Sequence, residues 1–142
     1  VQLHGNESPD FCKNLKGNFL ENKLSVEIIK AFSVDENFDF GALKTYEEKV
    51  DYFLFDTKGK LYGGNGTVFN WQILKNYTLE KPYFLSGGIG ISEINQLKIF
   101  LKTPEAKYCF AIDINSKFET EPGLKDKTVL KEFKKALYES EI

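Results

Sequence analysis

One acidic residue stands where a parallel α/β protein carries its chemistry. Asp56 ends the short apolar run Tyr52–Phe55, and a glycine-rich loop follows at residues 63–66. A strand that delivers a carboxylate at its carboxyl end, beside such a loop, is typical of active sites in this class of protein. A partly desolvated carboxylate there can act as a general acid. Position alone equally allows a helix cap or a salt bridge to Lys58 or Lys60.

Two further strand ends carry small or amide residues that suit a phosphate group. Gly87 and Gly88 follow one apolar run, and Asn115 and Ser116 follow the next. Glycine lets backbone amides approach a phosphate closely, although a glycine pair alone also fits a tight turn. All 19 basic residues are lysines, so backbone amides or lysine must hold any phosphate. Two neighbouring loops of this kind match the usual phosphate site of a barrel enzyme.

Two more polar residues lie near predicted strand ends. Asp113 lies in an otherwise apolar run and is suited to orienting an amine or hydroxyl of a ligand. Its alternative role is a buried acid paired with a lysine such as Lys30. His4 is the single histidine, and a lone histidine is more often structural than catalytic.

Composition narrows the function classes. The net charge of −2 gives no electrostatic case for nucleic acid or an anionic membrane as a partner. Cys12 and Cys109 lack metal-ligand spacing, so we expect both in the core and no structural zinc site. Two lone thiols suit a reducing compartment, and neither a membrane span nor a signal peptide is visible. A cytoplasmic location is therefore expected.

Apolar runs and turn residues predict five strand–helix units in one domain over residues 1–142. The predicted strands are Val1–His4, Val26–Phe32, Asp51–Asp56, Tyr83–Ser86 and Tyr108–Ile114. The predicted helices are Pro9–Lys16, Gly41–Glu48, Trp71–Tyr77, a segment after Ser92, and Asp126–Glu139. The near-regular spacing is that of βα units with parallel strands. A closed (β/α)8 barrel needs about 200–250 residues, so an open five-stranded sheet or a piece of a barrel is predicted, and a start inside a strand favours the piece.

The motifs, taken in order, resemble a known family. VQLHGNES, FDTKGKLYGGNGTVFNW, FLSGGIG and AIDINSKFETEPGLKD are together similar to phosphoribosylanthranilate isomerases, which act in tryptophan biosynthesis. The resemblance runs through essentially the whole chain and implies the C-terminal five-eighths of a TIM (β/α)8 barrel. It also implies an isomerase that converts N-(5'-phosphoribosyl)anthranilate to 1-(2-carboxyphenylamino)-1-deoxyribulose 5-phosphate by an Amadori rearrangement, without a cofactor.

The resemblance assigns roles to individual residues. Asp56 matches the family's general acid, which helps to open the ribose ring, and residues 63–71 match its loop-and-tryptophan motif. The implied substrate-binding residues are His4 and Asp113. The implied phosphate-binding residues are Gly87, Gly88, Asn115 and Ser116.

This chain departs from the family pattern at two points. The common sequence after the eighth strand is Ser-Gly-Val-Glu, whereas this chain has Ser116, Lys117, Phe118 and Glu119. The family's general base is a cysteine on the first strand, to which neither Cys12 nor Cys109 corresponds. The first three βα units are therefore expected to be absent from this chain.

Three expectations follow from the resemblance. The chain alone is expected to be inactive, because it lacks the base. It is also expected to form a homodimer, or to associate with the piece that supplies the first three units, through its open sheet edges. The alternative function is a non-catalytic half-barrel that binds a phosphorylated ligand, and a related barrel that binds an indole or ribulose phosphate is a weaker third option.

Overall fold

The centre of the fold is a parallel five-stranded sheet. The structure is a computed structural model, and it describes residues 1–57 and 71–139. The strands are β1 (Gln2–Leu3), β2 (Ile29–Ser33), β3 (Tyr52–Asp56), β4 (Tyr83–Ser86) and β5 (Cys109–Ile112). They lie side by side in chain order, and every neighbouring pair is parallel. The predicted parallel sheet is therefore confirmed, and all five carboxyl ends meet along one edge.

The second strand begins three residues later than predicted. Its expected range was Val26–Phe32, but pairing starts at Ile29. The backbone N–H of Ile28 donates instead to the carboxylate of Asp51, at 2.8 Å. Lys16 also pairs with that carboxylate at 2.8 Å, and the N–H groups of Asp51 and Tyr52 both donate to the Ile28 carbonyl.

The first helix is longer than predicted. α1 (Pro9–Glu21) begins as predicted, with Pro9 in the first turn and the Ser8 hydroxyl accepting from the Phe11 N–H at 3.1 Å. The predicted end at Lys16 is wrong, because the helix continues through Gly17 to Glu21. A glycine weakens a helix without ending it. The left-handed backbone conformation that follows this helix occurs at Lys23, with φ of 57°.

The helices of the next two units are short 3₁₀ segments. Phe40–Tyr46 and Trp71–Asn76 stand where α-helices were predicted. Segments of this length gain little from α-helical cooperativity, and their role is to place apolar side chains on the sheet. Trp71 is 5% exposed and belongs to the core.

The last two units carry regular helices. α2 (Ile94–Leu101) follows a 3₁₀ turn, Ile91–Glu93, and α3 (Lys127–Tyr138) is capped by Asp126, whose carboxylate accepts from the N–H groups of Thr128 and Val129. A small antiparallel hairpin that was not predicted, β6 (Glu119–Glu121) and β7 (Leu124–Lys125), precedes α3.

Side chains of β3 alternate between the two faces of the sheet. Phe53 and Phe55 are fully buried against the helices, on what we call the helix face. Leu54 and Asp56 point the opposite way, onto the inner face. Because the register pairs Asp56 with Ser33 on one side and Ser86 on the other, polar side chains gather on the inner face at the carboxyl edge.

Candidate functional site

A cavity of about 310 Å³ opens at the carboxyl ends of the strands. All seven residues singled out from the sequence line it: His4, Asp56, Gly87, Gly88, Asp113, Asn115 and Ser116. They come from β1, β3, β4 and β5 or the loops after them, so only the parallel sheet brings them together. The lining also includes polar residues that the sequence did not single out for chemistry: Gln2, Ser33, Ser86 and Lys117.

Asp56 is positioned by a rigid strand end. Its carbonyl accepts from the Val34 N–H at 2.9 Å, which extends the ladder with β2. The next residue, Thr57, is fully buried, and both its N–H and its hydroxyl donate to the carbonyl of Ser86. The indole of Trp71 in turn donates to the Thr57 hydroxyl at 3.2 Å. These bonds fix the exit of β3, while Lys58 and Lys60, the alternative partners of Asp56, lie outside the described residues.

Asp113 is held by a residue that the sequence analysis missed. The Ser86 hydroxyl donates to Asp113 Oδ2 at 2.8 Å, and the Asp113 N–H donates to the Leu85 carbonyl at 2.8 Å. The alternative pairing of Asp113 with Lys30 is wrong. Lys30 aligns with Phe53 on the helix face, where it pairs with Glu7 at 3.1 Å. The sequence feature that could have identified Ser86 as a site residue is its position at the end of the apolar run YFL.

The loop after β4 has the backbone that only glycine adopts readily. Gly87 has φ of 105° and Gly88 has φ of 64°. A Cβ on Gly88 would meet no atom within 4 Å, so the backbone conformation, rather than lack of space, favours glycine there. This loop turns its main chain toward the cavity with no side chain in the way.

The loop after β5 is anchored by the buried ring of Phe118. Ser116 begins a 3₁₀ turn that ends at Phe118, whose ring is fully buried and packs edge-on against Phe133 at 5.0 Å. Asn115 accepts a hydrogen bond at Oδ1 from the Lys125 ammonium. The turn therefore presents Asn115 and Ser116 to the cavity on a packed base.

His4 is exposed and lies just after β1. The loop behind it is tied to the sheet, because the Lys30 ammonium donates to the Gly5 carbonyl at 2.9 Å and the Tyr46 hydroxyl donates to the Glu7 carbonyl at 3.0 Å. Lys30 itself is 2% exposed. These contacts on the helix face hold the imidazole at the rim of the cavity.

Neither cysteine lines the cavity. Cys12 is fully buried on α1, and Cys109 starts β5 at the amino edge of the sheet, partly buried against the core, as predicted for both. Burial raises the pKa of the Cys12 thiol and raises that of Cys109 to about 11. Both thiols therefore stay protonated near neutral pH.

The described residues offer neither a metal site nor a membrane span. Within residues 1–57 and 71–139, no cluster of three or more His, Cys, Asp or Glu side chains is placed to hold a metal ion. In the same ranges no helix combines the length and the apolar composition that crossing a bilayer requires.

Comparisons with known proteins agree on one family. The family model for N-(5'-phosphoribosyl)anthranilate (PRA) isomerase matches residues 1–136. The chain is 45% identical over 133 residues to the N-(5'-phosphoribosyl)anthranilate isomerase of Parabacteroides distasonis, and 40% identical over 133 residues to that of Phocaeicola vulgatus. These alignments cover 94% of this chain but 56% and 60% of the two relatives.

Solved structures of the same enzyme share the fold. The phosphoribosylanthranilate isomerase of Thermotoga maritima superposes with a TM-score of 0.68 at 28% identity, over 96% of this chain and 60% of that one. Monomers of the dimeric enzyme from the same organism superpose with a TM-score of 0.64 at 24% identity. The predicted α/β fold of the TIM-barrel type is confirmed, and the chain spans a little over half the length of the proteins that it matches.

Proposed function

We propose, because the chain belongs to the N-(5'-phosphoribosyl)anthranilate isomerase family, that its cavity takes part in the aldose-to-ketose rearrangement of N-(5'-phosphoribosyl)anthranilate in tryptophan biosynthesis. The observation that carries the proposal is the convergence of seven residues, assigned one by one from the family pattern, on one cavity. A cytoplasmic location and a small phosphorylated substrate are parts of the same proposal.

Asp56 is the proposed general acid. Its carboxyl group gives a proton to the ribose ring oxygen while the bond from that oxygen to C1 breaks, and the anthranilate nitrogen supplies the electron pair that forms an iminium at C1. A base then removes the proton from C2 to give an enolamine, which becomes the ketone when C1 takes up a proton and the C2 hydroxyl loses its own. Substrate and product are isomers, so the reaction needs no external oxidant or reductant.

His4 and Asp113 are the proposed substrate-binding residues. They line the cavity from positions just after β1 and β5, the outermost strands of the sheet. The hydrogen bond from Ser86 leaves Asp113 Oδ1 available for a hydroxyl or the amine of the substrate.

The phosphate is expected between two loops, Gly87–Gly88 and Asn115–Ser116. Backbone N–H groups of the two loops can donate hydrogen bonds to the phosphate oxygens. The chain has no arginine, so no guanidinium group can take that role. Crystals soaked in phosphate or sulfate should show the anion bound by both loops. An anion found only at residues 63–66 would overturn this placement.

The general base is proposed to come from outside the 142 residues. Both cysteines of the chain lie away from the cavity, and burial keeps both thiols protonated. The relatives carry further residues that this chain does not match, since it spans 56–60% of their length. In the family pattern, the general base is a cysteine on the first strand, which belongs to that unmatched part.

The 142-residue chain alone is therefore expected to self-associate and to show no turnover. β5 is an edge strand whose Phe110 ring is 61% exposed, and an apolar groove lies between it and Leu130 and Leu137 of α3. Such an edge favours pairing with another chain. Light scattering should give a mass above 16.3 kDa, and Phe110→Lys should lower it. A monomer that isomerises substrate would contradict both expectations.

A fused protein tests the proposed function. This chain would replace the matching 56% of the Parabacteroides distasonis enzyme, with the rest of that enzyme left in place. The fusion should restore growth without tryptophan to a bacterium that lacks the isomerase, whereas the unmatched part of the relative alone should not.

The same fusion separates the proposed enzyme from its alternative. A fusion that folds and binds inorganic phosphate, yet gives neither growth nor turnover, would favour a non-catalytic half-barrel that binds a phosphorylated ligand. The native Parabacteroides distasonis enzyme is the control for the assay.

A further inference from the structure

We propose that the Lys117 ammonium binds the substrate phosphate in this chain, and that Gly90 and Glu93 position it. The proposal rests on the proposed function, because it concerns the phosphate corner of that site. Lys117 stands in the loop after β5 where the family pattern has glycine, and it is the one lysine among the described residues of the cavity lining.

The stem of Lys117 lies directly against the backbone of Gly90. A Cβ built on Gly90 would stand 2.6 Å from Lys117 Cδ and 3.2 Å from Lys117 Cβ. Gly90 is buried and its backbone is extended, with φ of −146°, so its torsion angles do not demand glycine. What demands a small residue here is the close approach of the lysine stem, which links the loop after β5 to the loop after β4.

Glu93 fixes the far end of that stem. Its Oε2 lies 2.9 Å from the Lys117 ammonium, and its Oε1 accepts from the Ser92 hydroxyl at 2.9 Å. Glu93 is 7% exposed, and the Lys117 ammonium is the charged partner of its Oε2. The ion pair engages one N–H of the ammonium and leaves the other two for an anion.

Burial and charge explain why this lysine matters for an anion. Burial alone would raise the pKa of Glu93, but Lys117 and Ser92 outweigh it and hold that pKa below its ordinary value. Glu93 is thus ionised near neutral pH, close to the proposed phosphate position. A lysine between the two anions attracts the phosphate and also masks the repulsion of the carboxylate.

The neighbouring lysine is already engaged. Lys125 donates to Asn115 Oδ1 and pairs with the carboxylate of Glu119, in the same loop region. Lys117 belongs to a turn whose Phe118 is fully buried, so its backbone is well anchored. Of the two lysines, Lys117 lines the cavity and Lys125 does not.

Titration of the protein with inorganic phosphate, followed by calorimetry, tests the proposal. Lys117→Ala and Lys117→Gly should each weaken phosphate binding about 10- to 100-fold, as expected for a lost hydrogen bond to a charged group. Gly90→Ala should also weaken binding, because it displaces the lysine stem while keeping the charge. Lys98→Ala, which removes the same charge from a residue of α2 that does not line the cavity, is the matched control and should bind as the wild type does.

A double variant separates direct contact from mere neutralisation of Glu93. Lys117→Ala with Glu93→Gln leaves no buried unpaired carboxylate, so it also protects the fold. If Lys117 contacts the phosphate, the double variant should bind phosphate somewhat more tightly than Lys117→Ala, because the repulsion from Glu93 is gone. Its affinity should still be at least about 10-fold below that of the wild type. Full recovery of affinity would overturn direct binding by Lys117.

Two outcomes distinguish this inference from the proposed function. Wild-type affinity in Lys117→Ala would overturn the role of the lysine and leave the isomerase proposal standing. Failure of the wild-type protein to bind phosphate would count against the phosphate corner itself, and so against both.

Discussion

Replacing Asp56 with Asn should lower kcat about 10²- to 10⁴-fold in the fusion with the Parabacteroides distasonis enzyme. Asparagine keeps the size and hydrogen-bonding shape of the side chain but has no proton that it can give to the ribose ring oxygen. The strand end around it is fixed by Thr57, Ser86 and Trp71, so the substitution should not disturb the site. The loss belongs to the chemical step, and KM should change little.

The decay of substrate fluorescence measures this effect. Asp10→Asn is the matched control, because Asp10 is an exposed acid on α1 and should leave kcat unchanged. A near-normal kcat for Asp56→Asn would remove Asp56 from its role. A rise in KM at unchanged kcat would make Asp56 a binding residue instead.

Replacing Phe55 with Ala should cost about 3–5 kcal/mol of the free energy of unfolding. The Phe55 ring is fully buried on the helix face, with the rings of Tyr83, Tyr77 and Phe40 centred 4.9, 5.2 and 5.9 Å away. Its removal forfeits the burial of the ring and leaves a cavity that three rigid aromatic neighbours cannot fill. The free energy of unfolding of a typical domain is only about 5–15 kcal/mol, so this loss would be a large part of it.

Urea unfolding at a fixed protein concentration measures this loss, since association would otherwise contribute to the apparent stability. Phe11→Ala is the control, because the Phe11 ring is 49% exposed and should cost within about 0.5 kcal/mol. A loss below about 1 kcal/mol for Phe55→Ala would mean that the aromatic cluster behind β3 is not the centre of the core.

The strand ends were predictable because they combine two strong local signals. An apolar run that stops at a polar residue, as in YFLFD and YFLS, marks both a buried strand and its carboxyl end. Parallel pairing then places all such ends on one edge, so Asp56 and Asp113 were expected together. Their side chains do line one cavity, although their chemical roles remain predictions.

Features that depend on contacts distant in the sequence were not predictable. The partner of Lys30 is Glu7 rather than Asp113, since the register decides which face of the sheet the lysine occupies. The continuation of α1 past Gly17 depends on packing, which overrides the low helix propensity of one glycine. The contact between Lys117 and Gly90 joins two loops and has no signature in either.

The most direct test of the whole account is a crystal structure of the fusion with the ketose product, 1-(2-carboxyphenylamino)-1-deoxyribulose 5-phosphate, bound. We expect the phosphate to lie between the Gly87–Gly88 and Asn115–Ser116 loops. We also expect the Asp56 carboxylate to lie about 2.6–3.2 Å from the hydroxyl formed from the ribose ring oxygen. A product whose phosphate lies elsewhere, with Asp56 beyond the reach of one bridging water, would contradict the account.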